Sequence, residues 1–204
     1  MSLFKEKLNK NLFKGLQEHN FSEATELQIA ALPKINSGRD VIIIGDNNSG
    51  KSLLAAVSTV HKLNYAFEDA PRALIIVSDN DKAIEMQSYF IKAAQFTDLR
   101  VSLATEAGKI EKQTDEIYFG TDVVICTVKR LMEIYIRRIF NLTKLKVFII
   151  DDTELIAKQN VLSHLERLSL SLPKCQRIIF CNELTEKVDT VSNKFTTAPV
   201  IVEL

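Results

Sequence analysis

The 204-residue chain has no tryptophan, only four prolines and six glycines, three cysteines and three histidines. So little glycine and proline excludes a collagen-like or low-complexity polymer. Cys126, Cys175 and Cys181 are odd in number, form no CxxC pair, and two of them adjoin apolar runs. That pattern favours small buried hydrophobes in a reducing, intracellular setting over zinc ligands or disulfides. His19, His61 and His164 are scattered and define neither a metal constellation nor a Ser/His/Asp arrangement. A charge excess is also missing, because 26 basic and 26 acidic residues cancel. No field of the whole surface recommends nucleic acid, so any such contact must come from a local patch. No apolar run is long enough to span a bilayer, and charge is interleaved at the amino terminus where a signal peptide needs an apolar stretch. Both facts argue against secretion and membrane insertion.

What is present is an ordinary folded composition, 46% hydrophobic and 25% charged, at a length suited to one well-cored domain. No repeat or Gly/Pro-rich linker divides the chain, so one domain is expected over 1–204, with leading helices in 1–36 and a core in 40–204. Short, almost wholly apolar runs rich in β-branched residues recur at 41–44, 74–77, 123–125, 147–150, 178–180 and 200–202, with a shorter one at 101–103. Continuous apolarity signals burial on both faces, as in a parallel sheet covered by helices. Helical spacing fills the intervals: Leu53, Ala56, Val57, Val60 and Leu63; Ala83, Met86, Tyr89 and Phe90; Leu162, Leu165, Leu168 and Leu170. Leu8, Leu12 and Leu16 predict a further amphipathic helix over 5–18. Alternating strands and helices specify a doubly wound, mainly parallel α/β sheet, whose binding groups lie at the carboxyl ends of strands, near Gly45, Ser78, Thr127, Asp151 and Cys181.

The first apolar run leads into Gly45-Asp46-Asn47-Asn48-Ser49-Gly50-Lys51-Ser52, which satisfies G-x-x-x-x-G-K-(S/T) between a strand and a helix. In such a loop, backbone N–H groups and a helix amino terminus converge on phosphate oxygens, with glycine where a Cβ would obstruct the approach. Lys51 is then expected to neutralise the terminal phosphates and Ser52 to offer its hydroxyl to Mg2+. The loop also requires an acid at the end of a neighbouring strand. Asp151-Asp152-Thr153-Glu154 follows the run 147–150, with Asp151 a metal ligand and Asp152 a group able to orient an attacking water. Taken alone, two acids after an apolar run are also how many strands meet solvent; the loop upstream favours the functional reading.

With these residues in place, the chain resembles the amino-terminal RecA-like domain of DEAD-box RNA helicases, from about Phe4 to Val202. Residues 12–28 look like the family's Q motif, which implies that Gln28 reads adenine and that Phe4 stacks on it. Residues 45–52 match motif I, Thr127-Val128-Lys129-Arg130 resembles the T-P-G-R motif that touches RNA backbone, Asp151 to Glu154 stand at the D-E-A-D tetrad, and Cys181-Asn182-Glu183 occupy the S-A-T position. The resemblance implies ATP and Mg2+ as cofactors, catalytic roles for Lys51 and Asp152, and RNA contacts through Thr127, Lys129 and Arg130. It also implies partnership with RNA and with a second RecA-like domain in cis or in trans, and residence in the cytoplasm, including ribonucleoprotein granules, or in the nucleus.

The departures from the family pattern fall on functional positions. Asn47-Asn48 replaces Thr-Gly, placing a side chain where backbone should approach phosphate, although Asn tolerates positive φ. Asp152 stands in place of the catalytic glutamate, one methylene short, a misplacement that can cost about a hundredfold in rate. Cys181 and Glu183 lack the coupling hydroxyls, residues 78–82 replace P-T-R-E-L and lose its arginine, and the glycine pair expected near Thr105-Glu106 is absent. Lys129, Arg137, Arg138, Lys144 and Lys146 form either a basic patch or a solvated helix face, with Glu133 one turn from Lys129 able to pair with it. Three readings stay open. One is a helicase half, weak or inactive alone; another is a degenerate scaffold or protein-docking module of an RNA-processing complex, such as those beside Tudor domains in germline small-RNA proteins. The third is an unrelated P-loop kinase or GTPase, disfavoured because no N-K-x-D base reader is present.

Overall fold

A computed structural model describes residues 7–67, 69–137, 141–159 and 162–204. Seven strands form one sheet: β1 (Val41–Ile44), β2 (Ala73–Val77), β3 (Val101–Ala104), β4 (Val123–Thr127), β5 (Val147–Ile150), β6 (Gln176–Cys181) and β7 (Val200–Glu203). Their spatial order is β3-β4-β2-β5-β6-β1-β7, and every pairing is parallel. The apolar runs are strands because β-branched residues suit a pleated surface buried on both sides. β1, β2, β4 and β5 are buried at every position.

Nine helices among the described residues cover the two faces. α1 (Lys10–Glu18), α2 (Glu26–Asn36), α3 (Lys51–Leu63) and α4 (Asn80–Ala94) pack on one side, where Leu16, Leu32, Leu54 and Phe90 meet Val41, Ile43, Ile75 and Ile149. α5 (Ile110–Tyr118), α6 (Val128–Ile136), α7 (Thr153–Lys158), α8 (Leu162–Ser171) and α9 (Glu186–Phe195) pack on the other. There Ile117, Leu131, Ile156, Leu165 and Val191 meet Ile42, Leu74, Phe148 and Ile150. Alternate residues of β1, β2, β4, β5 and β6 thus feed alternate cores, as the two-residue period of a strand requires. The doubly wound parallel sheet expected from the sequence is the observed fold.

Two expected helices differ in detail. Of the expected stretch 5–18, α1 begins at Lys10, because Asn9 is extended (φ −60°, ψ 145°) and its side chain is held by the end of α3, donating to His61 O at 3.1 Å and Asn64 Oδ1 at 2.7 Å, while residues 5 and 6 lie outside the described residues. On α8, Leu165 and Leu168 are buried but Leu170 is 84% exposed. Two residues beyond Leu168 is about 200° around the helix, so it leaves the stripe.

The end of the sheet opposite the site is tied by charge. Asp122, fully buried before β4, receives Arg72 Nη2 at 2.6 Å and Arg100 Nε at 3.0 Å. Burial alone would raise this carboxyl, but the bonds from Arg100 and Arg72 outweigh it and hold Asp122 below its ordinary value of 3.8. Its stabilising contribution is therefore present above that value and lost as pH falls below it. Asp122→Asn, which strips the charge from a pair whose arginine stays buried, is expected to lower the free energy of unfolding at pH 7 by about 3–5 kcal/mol in a denaturant titration. Because the variant lacks the acid-sensitive component, the gap to wild type should narrow below about pH 4.

Candidate nucleotide site

The carboxyl ends of β1, β5 and β6 converge because β6 lies between the other two in the sheet. From the end of β1 the chain turns through residues 45–50, with Asn48 at φ 68° and Gly50 at φ 93°, and enters α3 at Lys51. Gly50 is required twice over: its backbone is left-handed, and a Cβ there would lie 2.6 Å from Gln28 Nε2. Asn48 meets its own positive φ as one of the few side chains that tolerate it.

Lys51 is buried, and its Nζ donates to Gly45 O, to Asp46 O at 2.7 Å and to Asn182 Oδ1 at 2.9 Å. An ammonium has three N–H donors, so engaging a phosphate requires exchanging at least one of these bonds. Burial lowers the Lys51 pKa from 10.5, against the opposing pull of Asp151, Glu154 and Asp152. Asn182 bridges the loop, since its Nδ2 also donates to Asn47 Oδ1 at 3.1 Å. Behind it, the Glu154 carboxylate accepts from the backbone N–H of Asn182 and, at 3.1 Å, from that of Glu183, fixing the turn after β6 to α7.

Asp151 ends β5 with its side chain wholly buried, and Ser52 Oγ donates to its Oδ2 across 3.4 Å. Burial, reinforced by the neighbouring Asp152 carboxylate, pushes Asp151 up to about 7. Asp152 follows in the left-handed region (φ 48°, ψ 48°), and burial raises it too. The first turn of α4 answers this concentration of acid: Lys82 Nζ lies 3.8 Å from Asp151 Oδ2, 3.7 Å from Asp152 Oδ2 and 3.1 Å from Glu85 Oε2. Burial alone would lower Lys82, but Asp151 and Asp152 raise it.

The donor set fits a hard cation. Asp151 Oδ1 is buried with no hydrogen-bond partner, and the Ser52 hydroxyl stands beside the other oxygen of the same carboxylate. Among the described residues, no group of three or more His, Cys, Asp or Glu side chains could hold a metal by itself. The free Asp151 oxygen and the Ser52 hydroxyl suit Mg2+, which takes one or two protein oxygens and completes its shell with water and phosphate. Lys51, Ser52, Lys82, Glu85 and Asp152 line a cleft of about 370 Å3. A groove of about 600 Å3 adjoins it past Glu154 and Glu183.

The remaining predicted residues are placed as follows. Gln28 is 1% exposed; its Oε1 accepts from Thr25 N at 3.0 Å and its Nε2 donates to Gly50 O at 3.0 Å, while Thr25 Oγ1 donates to Ser49 O at 2.8 Å. The capping box of α2 therefore doubles as a brace under the phosphate loop. Phe4 and Arg138 lie outside the described residues. Thr127 caps α6 and donates to Glu106 Oε2 at 2.5 Å. Arg130 is buried, donating to Gly108 O at 3.1 Å and Gln113 Oε1 at 2.7 Å. Glu133 pairs with Arg130 at 3.0 Å rather than with the expected Lys129, because the guanidinium, one turn back, already lies on that face of α6. Lys129 itself is exposed. Sequence reasoning missed Lys82, Asn182 and Thr25. The T-x-x-Q capping box signals Thr25, whereas the other two act across long sequence separations that no local pattern reveals.

A parallel sheet, a glycine-bounded loop opening a helix and a buried strand-end acid beside that helix define a RecA-like P-loop domain. A family model for the DEAD/DEAH box helicase matches residues 25–191, so the chain belongs to that family, as its amino-terminal RecA-like domain. It is similar to the ATP-dependent RNA helicase RhlB of Vibrio vulnificus (26% identity, 96% of this chain, 48% of the relative). It is also similar to the ATP-dependent RNA helicase drs1 of Schizosaccharomyces pombe (25% identity, 96% and 28%). The chain thus spans about half or less of the length of these relatives. A Saccharomyces cerevisiae Dbp5 variant, solved bound to a Gle1 variant and IP6, shares the fold with a TM-score of 0.88 at 21% identity, over 100% of this chain and 52% of that one.

Glu154 offers a direct check on this geometry. Glu154→Ala removes the charged acceptor of two backbone N–H groups, and amide exchange at Asn182 and Glu183 should accelerate by about tenfold or more while β5 amides stay protected. Unchanged exchange at those two amides would show that the clamp does not form.

Proposed function

We propose that this domain is the nucleotide- and RNA-binding first half of an ATP-dependent RNA-helicase-like module, with little activity by itself. The approach of Ser52, which lines the cleft beside Lys51, to the buried Asp151 carboxylate supports this reading, because a phosphate cradle needs candidate metal ligands beside it. In it, residues 45–52 hold the phosphates, Lys51 neutralises their charge, and Gln28 and Phe4 serve the adenine. Ser52 and Asp151 would hold Mg2+, which would offset the charge of the phosphates. Asp152 orients water poorly, being one methylene short. RNA backbone would meet the end of β4 through Thr127, Lys129 and Arg130, with exposed Lys129 the first contact. A second RecA-like domain, in cis or in trans, supplies the remaining charge stabilisation for hydrolysis, a contribution of roughly three to five decades in rate. An intracellular setting, in cytoplasm, ribonucleoprotein granules or nucleus, follows from RNA as ligand.

A second reading, a scaffold or protein-docking module, is favoured by a different observation. Lys51, Asn182 and Arg130 all spend their donors on partners inside the domain. The structural relative Dbp5, solved with Gle1 and Nup159, is one family member that engages proteins.

The isolated chain should bind ATP yet show negligible turnover, and Lys51→Ala should weaken binding by about tenfold or more in a calorimetric titration. Titrating single-stranded RNA into a chain that also carries a second RecA-like domain separates the readings: RNA affinity that rises with ATP supports the helicase, and affinity indifferent to ATP supports the scaffold.

A further inference from the structure

The cleft holds a cation whose place in the sequence gives no hint of it. Asp79 caps α4 by accepting from Lys82 N at 2.9 Å, which fixes the first turn of that helix over the carboxyl end of β2. β2 pairs directly with β5, so the turn overhangs Asp151 and Asp152. From there Lys82 reaches both carboxylates at 3.7–3.8 Å, while Glu85, one turn on, steers the ammonium from behind at 3.1 Å. The Lys82 side chain is only 20% exposed, and it lines both the phosphate cleft and the adjoining groove.

Asp152 and Glu85 line the cleft that a triphosphate would enter, Asp151 is buried beside Ser52, Glu154 lines the adjoining groove, and Lys51 lines the cleft with its donors committed to Gly45, Asp46 and Asn182. A divalent cation is the usual answer to such crowding of acid and phosphate. Here an ammonium bound to the protein already stands at the same carboxylate oxygen that Ser52 approaches. A tethered charge has a high effective concentration, which a free ion must compete against.

The geometry points to Lys82 as a built-in counter-cation that shares the electrostatic work of the ion Ser52 and Asp151 would hold, so that adenine nucleotide binding by this domain depends only weakly on the divalent ion. The inference rests on the nucleotide-binding reading given above, and it makes Lys82 a positioning residue whose ammonium holds the two acids and screens them from phosphate. No bond is made or broken.

The test compares the chain with Lys82→Leu and Lys82→Arg, using a fluorescent ATP analogue in Mg2+ and then in EDTA. Wild type and Lys82→Arg should change affinity less than about threefold between the two conditions, whereas Lys82→Leu should lose about tenfold or more in EDTA. Wild-type affinity that collapses in EDTA as far as that of Lys82→Leu overturns the proposal. If none of the three proteins binds the analogue, the nucleotide-binding reading fails, and Mn2+ binding followed by electron paramagnetic resonance on the same proteins still decides the role of Lys82. Mn2+ bound more tightly by Lys82→Leu than by wild type upholds the counter-cation; equal Mn2+ binding by both removes it. The arginine variant keeps the charge, so loss of the effect there together with lost cooperative unfolding would mark a folding defect rather than a change at the acids.

Discussion

A carboxylate withdrawn wholly from water must find a cation, a set of hydrogen-bond donors or a proton. Asp151 occupies that position at the end of β5, with one oxygen near Ser52 and Lys82 and the other without a hydrogen-bond partner. Its burial follows directly from the topology. β5 is flanked by β2 and β6, so the residue at its carboxyl end opens between the loops that follow those strands and the phosphate loop one strand further along. The phosphate loop, the first turn of α4 and the turn after β6 all bend toward the charge gathered at this point.

The same constraint explains why the loop is so heavily braced. Gln28 and Thr25 grip Gly50 and Ser49 from below, Asn182 links Lys51 to Asn47 from above, and Glu154 anchors Asn182. The bonds of Gln28 and Lys51 satisfy buried polar groups, so the cleft is preorganised, and its own residues occupy the donors that a phosphate would use. The price is competition: ligand binding has to exchange bonds rather than simply add them.

Much of this was legible in the sequence, and the physical reason differs from part to part. β1 and β5 match the apolar runs 41–44 and 147–150 because burial on both faces leaves no polar position to blur their ends. The phosphate loop was legible because its glycine spacing is dictated by backbone approach rather than by packing. Arg130 was legible as a motif residue but not as a buried one, since its partners Gly108 and Gln113 come from a separate loop and helix. Lys82 reads in the sequence only as part of an altered motif that has lost its arginine. Its reach to Asp151 depends on β2 lying next to β5, a neighbour relation that strand patterning does not specify. Leu170 fails for the opposite reason, a leucine in a leucine-rich helix that faces water because of its angular position alone.

Backbone amide shifts of the isotopically labelled chain, followed during addition of ATP, test the central claim most directly. The account predicts saturable changes concentrated at residues 45–52, at Asp151 and at Asn182, with the Asp122 end of the sheet unmoved. Saturating ATP that leaves the loop amides in place, or that shifts only residues remote from Lys51 and Asp151, would contradict it.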